Sequence, residues 1–263
     1  MFSGTGALIT AYKQNIETEK RINELNSIGI NNICVVETSE DPNLYNNIKD
    51  KAIIIQFYDS PGSSSSNWKS HSNVEKYNVA GNHWRANYLA ARILFAIERG
   101  LKHLYRNGSE FVLHIHSDTV WKSEEILLRD IEQLKKYNAI LIGDLAEPFE
   151  NGKLLPPRMN FCPEGIIFNL NRCNQVGYWN FEKIYESDNS YNEHINENHY
   201  HCLDWIGIEP HFGCWAFWLL FNKNILSNKD EVPDFYYQQM ITRMCRHHHG
   251  NFEHLNNIPG FQT

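Results

Sequence analysis

Residues 111–121, Phe-Val-Leu-His-Ile-His-Ser-Asp-Thr-Val-Trp, constrain the chain more than any other stretch. Phe111, Val112, Leu113 and Ile115 are apolar residues bounded by Gly108 and Asp118, and a short run of this kind predicts a buried strand. The run ends abruptly in His116-Ser117-Asp118. A buried strand that releases a His and an Asp at its C-terminal end delivers polar groups to a sheet edge, where open α/β sheets bind ligands. A second explanation is equally physical: Asp118 and Thr119 could start the next helix, because Asp, Ser and Thr are preferred N-caps.

The flanking pattern supplies the context. Residues 82–105 carry Leu89, Ile93, Leu94, Ile97, Leu101 and Leu104 near the three-to-four spacing of an amphipathic helix. Arg106-Asn107-Gly108 then reads as a helix stop. Upstream, 6–12 predicts a first buried strand, 17–28 a solvent-facing helix ended by Gly29, and 33–38 a second strand. Strand, helix and strand in that order make a right-handed parallel unit. A third strand follows at 51–58, then a flexible Pro-Gly-Ser loop at 61–66. Downstream, the pattern predicts a helix at 123–137, a strand at 139–144, an apolar helix at 216–221 and a last helix at 234–246. The expected class is α/β: one domain over 1–263 with a mostly parallel central sheet flanked by helices.

Composition excludes several classes. A chain of 263 residues, 42% hydrophobic and 21% charged, is globular rather than disordered. Its net charge of −7 argues against non-specific nucleic-acid binding, which needs a basic surface. The six cysteines, at 34, 162, 173, 202, 214 and 245, form no Cys-X-X-Cys pair and suggest neither a disulfide framework nor a zinc ribbon. No secretory leader pattern opens the sequence, and the apolar run 213–221 is far short of the roughly 20 residues that span a bilayer. The expectation is a cytoplasmic protein without a transmembrane segment.

A helix feeding a buried strand that ends in X-Ser-Asp and is followed by another helix resembles the nucleotide-sugar half of the GT-A glycosyltransferases. In that family the strand ends in Asp-X-Asp, which holds a divalent metal against the donor pyrophosphate. Here His116 replaces the first Asp, Ser117 stands between, and Asp118 matches the second. Imidazole is a competent ligand for Mn²⁺-like ions. The resemblance runs from Gly6 to Asn169 in order of elements, on short motifs.

This resemblance implies a nucleotide-sugar-binding half at 1–121 and an acceptor-binding half at 122–263. It implies a metal-dependent enzyme, with Mn²⁺ or Mg²⁺ held at His116 and Asp118. Its reaction moves one hexosyl or pentosyl group from a nucleotide diphosphate sugar, expected to be UDP-linked, to a glycan or glycoconjugate. Thr10, Tyr12, Glu37 and Asp41 are the positions that match contacts to the base or ribose. Asn82, Arg85 and Arg92 match a basic or amide residue that reaches the donor phosphates or sugar, and 164–169 resembles the family strand after the metal motif, with Gly165 the small residue that lets the sugar approach the backbone. Each has an ordinary alternative: Glu37 and Asp41 as loop carboxylates, the arginines as solvated helix residues, Gly165 as a bulge.

In an inverting member of the family, a carboxylate downstream of the metal motif removes the acceptor proton. Asp204 and Glu209 match that placement, and Asp204 is preferred because Pro210 should hold Glu209 in an extended conformation. The alternative for Asp204 is that it caps a helical turn. The aromatics between Trp205 and Trp215 suit sugar rings and ordinary cores equally.

Three other readings are weaker. A dinucleotide-binding fold would show G-X-G-X-X-G, which is absent. A nucleotidyltransferase would show a Gly-rich basic loop after the first strand, whereas Tyr12-Lys-Gln-Asn15 has one Lys and no Gly. A zinc-containing binding module would draw on His199, His201, Cys202, His211 and Cys214, whose spacing matches no finger pattern.

Overall fold

Strand β1 (Thr5–Ala11) is buried at every position and lies near the middle of the sheet. In the computed structural model the described residues are 2–39, 41, 43–57, 84–121, 123–144, 161–181, 183, 209–222, 239–243 and 252–254. Helix α1 (Asn15–Ser27) follows β1 and buries Thr18, Arg21, Ile22 and Leu25. That i, i+3, i+4, i+7 spacing gives one inward stripe, and Gly29 (φ +89°) lets the chain turn out of the helix. Strand β2 (Asn32–Glu37) returns parallel to β1, and β3 (Ile53–Gln56) pairs parallel with β2.

Helix α2 (Trp84–Arg106) then leads into β4 (Phe111–His116), which pairs parallel with the other side of β1. The expected central strand is therefore present and ends at His116. Its next segment differs from expectation. Ser117 and Asp118 form a turn into a short strand β5 (Thr119–Trp121), and helix α3 (Glu124–Tyr137) begins only after Ser123. Asp118 thus does not cap a helix. Its neighbours Thr119, Val120 and Trp121 are β-branched or aromatic, and they pair with β9 (Phe252–His254), which the sequence pattern did not suggest.

Strand β6 (Leu141–Asp144), strand β7 (Ile166–Asn169) and helix α4 (Leu170–Val176) follow. Helix α5 spans Glu209–Asn222, and β8 spans Met240–Arg243. The seven-stranded sheet has the order β3-β2-β1-β4-β7-β6-β8, with β7 antiparallel to both its neighbours and the other pairs parallel.

Two expectations are corrected downstream. The last helix expected at 234–246 is, at Met240–Arg243, a strand parallel to β6, because that edge offers a ladder that a helix cannot use. The apolar helix starts at Glu209 rather than at 216, with Pro210 in its first turn, where a proline costs no hydrogen bond. Glu209 therefore opens a helix instead of sitting in the extended segment expected before a proline.

Side-chain alternation sorts the core into two layers. Leu8, Cys34, Val36 and Val112 face α2, α4 and α5, while Ala7, Ile9, Val35, Leu113 and Ile115 face α1 and α3. Trp215 lies in the first layer, fully buried, with its indole N–H donating to the Tyr178 carbonyl at 2.7 Å. It is a core residue and offers no face to a sugar. Among the described residues no helix is long and apolar enough to cross a membrane.

Candidate active site at the ends of the first, second and fourth strands

The parallel register decides which polar groups meet at the sheet edge. Thr10 lies beside His116 across β1 and β4, and Ala11 beside Glu37 across β1 and β2. The C-terminal ends of three adjacent strands thus carry Thr10, Tyr12, Glu37, His116, Ser117 and Asp118 to one edge. The site residues expected from β1, β2 and β4 are brought together.

Thr10, His114 and His116 are linked by alternation, since residues two apart share a face. The His114 ring is completely buried, and its Nδ1 lies 2.7 Å from the Pro163 carbonyl. A carbonyl can only accept, so Nδ1 carries the proton and Nε2, 3.1 Å from Thr10 Oγ1, accepts from the hydroxyl. Burial, and after it the neighbouring His116, hold the His114 imidazole well below its ordinary pKa, against a smaller opposing effect of the Pro163 carbonyl. His114 is neutral and satisfied. The His116 ring packs edge-on against it, with centroids 5.3 Å apart.

His116 keeps a ring nitrogen without a partner. Its Nδ1 faces the Glu164 carboxylate at 3.9 Å, its backbone N–H donates to Thr119 Oγ1 at 3.0 Å, and its Nε2 is buried with no hydrogen bond. Ser117 is buried too, its hydroxyl donating to Gln14 Oε1 and its backbone N–H to the Thr10 carbonyl at 3.3 Å. Ser117 therefore locks the turn to the end of β1. Asp118, half-buried at the tip of this turn, contributes a negative charge beside Arg21.

Arg21 is the least expected member of the region. It is 1% exposed, yet its guanidinium donates to the Thr119 carbonyl at 2.6 Å and to Glu24 at 2.9 Å, and lies over the Trp121 ring at 5.8 Å. Burial lowers its pKa, with Glu24 and then Asp118 opposing the shift. The charged head ties α1 to β5, just after the turn that carries Asp118. In the sequence Arg21 looked like one more solvent-facing charge; the signal available was its place in the Thr18, Arg21, Ile22, Leu25 stripe.

Glu37 is fully buried at the end of β2. Its Oε1 accepts the backbone N–H groups of Ser39 at 2.6 Å and Lys13 at 3.3 Å, the latter held in the left-handed region at φ 61°. Its Oε2 and the Ser39 hydroxyl are buried and have no hydrogen-bond partner, and the Tyr45 hydroxyl is buried beside Glu37 and Thr18. Burial, with Glu37 nearby, pushes the Tyr45 phenol upward. Asp41, by contrast, is exposed, and its carboxylate accepts the Asn43 N–H in a local turn.

Tyr12 stands just past β1 and is 47% exposed. The Arg92 guanidinium carbon of α2 lies 4.9 Å from its ring centroid and Lys13 Nζ 5.2 Å from it, so two cations flank one flat ring. Arg85 falls in the first turn of α2, and Glu209 is the first residue of α5. Asn82 and Asp204 lie outside the described residues, as do His199, His201 and Cys202. His211 and Cys214 fall within α5.

Gly165 belongs to a turn, not to a strand or a bulge. It has φ +77°, and its N–H donates to the His114 carbonyl at 2.8 Å. Pro163, Glu164 and Gly165 therefore grip the two histidines from the β7 side.

No group of three or more His, Cys, Asp or Glu side chains stands together as a metal cage among the described residues. The donor set does fit a cation that takes few protein ligands. The bare, buried Nε2 of His116 and the Asp118 carboxylate two residues on would supply two, and Mg²⁺ commonly keeps waters and phosphate oxygens for the rest.

No family model and no curated protein matches the chain. Among solved structures it is similar to the apo form of mouse xyloside xylosyltransferase 1, at TM-score 0.45 and 10% identity, over 96% of this chain and 98% of that one. It is similar to a mannosyltransferase from Pyrobaculum calidifontis in complex with GDP-Man and Mn²⁺, at TM-score 0.40 and 9% identity, over 72% of this chain and 50% of that one. A third is a 4-diphosphocytidyl-2C-methyl-D-erythritol synthase, at TM-score 0.36 and 15% identity, over 65% of this chain and 78% of that one. From Gly6 to Asn169 the strands and helices of this chain follow the order that its sequence implied, with β5 added between β4 and α3.

Proposed function

We propose that this chain is a glycosyltransferase that moves one sugar from a nucleotide diphosphate sugar to a glycan or glycoconjugate acceptor. The observation that carries the reading is the convergence of Thr10, Tyr12, Glu37, His116 and Asp118 on one edge of a mostly parallel sheet. Open sheets of this class bind ligands at the C-terminal ends of their strands. The charges there suit a diphosphate donor.

In this reading His116 and Asp118 are the residues that would hold Mn²⁺ or Mg²⁺. When bound, such an ion neutralises the charge that develops on the leaving diphosphate. Arg21 and Ser117 fix the turn that presents Asp118. Tyr12 gives the nucleotide a flat face, with Arg92 and Lys13 supplying positive charge beside it. Glu37 keeps one carboxylate oxygen unbonded, with the Ser39 hydroxyl also unpartnered. An acceptor beside a hydroxyl donor matches the N3–H and a neighbouring carbonyl of uracil, and this supports a UDP-linked donor. The half after residue 121 takes the acceptor, with Asp204 as the proposed base and Glu209 as the other carboxylate.

The reading is tested by thermal unfolding with a panel of nucleotide sugars and Mn²⁺, followed by assay of sugar release. A true donor stabilises the folded state by RT ln(1 + [L]/Kd), so at a hundredfold excess over Kd the gain is about 2.7 kcal/mol. Asp118→Asn is expected to keep the fold and abolish transfer. Full Mn²⁺-stimulated transfer by that variant removes Asp118 from the site.

A further inference from the structure

We infer that Glu164 is a positioning residue that fixes the tautomer of His116, so that the buried Nε2 presents a lone pair to a divalent cation. The inference rests on the cation site proposed above and adds to it a residue from a different strand pair.

The sheet register sets the pairing. Strands β4 and β7 run antiparallel with Phe111 opposite Asn169 and His114 opposite Ile166. Continuing the same register by two residues places Glu164 opposite His116. The turn just before β7 therefore meets both histidine rings, and it meets each at the same atom. The Pro163 carbonyl takes the Nδ1 proton of His114, and the Glu164 carboxylate faces Nδ1 of His116 at 3.9 Å.

Burial then chooses between the two neutral forms of His116. With the proton on Nε2, a buried N–H would have no acceptor, since that atom has no hydrogen-bond partner. Orphaned buried N–H groups are rarer than under-satisfied acceptors. With the proton on Nδ1, the N–H has an acidic oxygen 3.9 Å away and Nε2 is a bare lone pair. A carboxylate behind an imidazole ligand raises its basicity and fixes its ring, and loss of such a partner commonly weakens metal binding 10- to 100-fold. His114 cannot play this part, because Thr10 already occupies its Nε2.

The test reads the ring directly, without turnover. Long-range ¹H–¹⁵N correlation at pH 7.5, assigned with His116→Gln, is expected to show the Nδ1–H form of His116 in the unaltered chain. Added Mn²⁺ is expected to broaden that ring. Glu164→Leu, which removes the acceptor, is expected to lose the Nδ1–H preference and to bind Mn²⁺ at least tenfold more weakly. Glu164→Gln keeps an oxygen acceptor and is expected to restore the tautomer. The inference is overturned by an Nε2–H ring in the unaltered chain, by a His116 ring untouched by Mn²⁺, or by Glu164→Leu with unchanged tautomer and affinity. If Glu164→Leu does not fold, the unaltered chain and Glu164→Gln decide it. Mn²⁺ bound through an Nδ1–H His116 in a chain that no nucleotide sugar stabilises upholds the inference and removes the transferase reading. A bound nucleotide sugar beside an Nε2–H His116 does the reverse.

Discussion

Nε2 of His114 accepts the Thr10 hydroxyl at 3.1 Å, which joins β4 to β1 from inside the sheet, one step below the edge where ligands would sit. Neither residue can move without the other. Because Pro163 holds the opposite side of the same ring, one imidazole spaces β1, β4 and the turn before β7.

That arrangement makes stability depend on pH. Burial depresses the folded-state pKa of His114 well below its ordinary 6.5, so below that pH the unfolded chain binds a proton that the folded chain refuses. The contribution is present above pH 6.5 and is lost as pH falls from there toward the folded-state pKa. One such group changes unfolding free energy by up to about 1.4 kcal/mol per pH unit. Denaturant unfolding between pH 7.5 and 5 should show this slope, and His114→Asn should flatten it even if the variant is less stable throughout. An equal slope in the variant would assign the effect to another group.

A second prediction concerns the contact that seats α2 on the sheet. A Cβ added at Gly100 would lie 2.2 Å from Leu8 Cδ1 and 3.0 Å from its Cγ, and Leu8 is fully buried. Replacing a mid-helix Gly by Ala gains about 1 kcal/mol of helix propensity, but overpacking a tight core typically costs about 1–3 kcal/mol. The second effect should win. Gly100→Ala is expected to lower the melting temperature by a few degrees, and a rise would mean that Leu8 can turn aside at no cost.

How far the sequence carried this structure follows from particular residues. Periodicity found β1, α1, β2, α2, β4, α3 and β6, because each has a period that one face of packing explains, and the resemblance supplied β7. It failed for β8. Met240 to Arg243 is a short run whose strand identity comes from the free edge of β6, and an edge is a tertiary fact. It failed for β5 and β9 for the same reason, since three-residue strands exist only as a pair. At the site, His116, Ser117 and Asp118 were legible as polar groups released by a buried strand. Arg21, Gln14, His114 and Glu164 were not, since each acts through a partner between 48 and 103 positions away.

The exposed ring at the end of β1 leads to a binding prediction. Tyr12 is flanked by Arg92 and Lys13, an arrangement that leaves an aromatic face in water while drawing an anionic ligand toward it. Stacking of a base on an aromatic ring is worth roughly 1–3 kcal/mol by alanine substitution. Tyr12→Ala is therefore expected to weaken binding of the nucleoside diphosphate alone by about 5- to 150-fold in calorimetry. Binding unchanged within twofold would place the base away from β1.

The remaining prediction concerns the acceptor proton. An inverting transfer needs a base within hydrogen-bond reach of the attacking hydroxyl, and Asp204 and Glu209 are the two carboxylates proposed for it. Glu209 opens α5, where a carboxylate is also stabilised by the N-terminal end of the helix dipole. That gives Glu209 a structural reason to exist apart from catalysis. Asp204, which lies outside the described residues, is the base proposed from the sequence, although Glu209 opens a helix and does not sit in an extended segment before Pro210. Asp204→Asn is expected to keep donor binding and lose transfer on the order of 10²-fold or more, with Glu209→Gln costing stability rather than rate. The reverse outcome, transfer surviving in Asp204→Asn and collapsing in Glu209→Gln, assigns the base to Glu209. Full activity in both variants leaves a retaining reaction or an imidazole base such as His211 of α5.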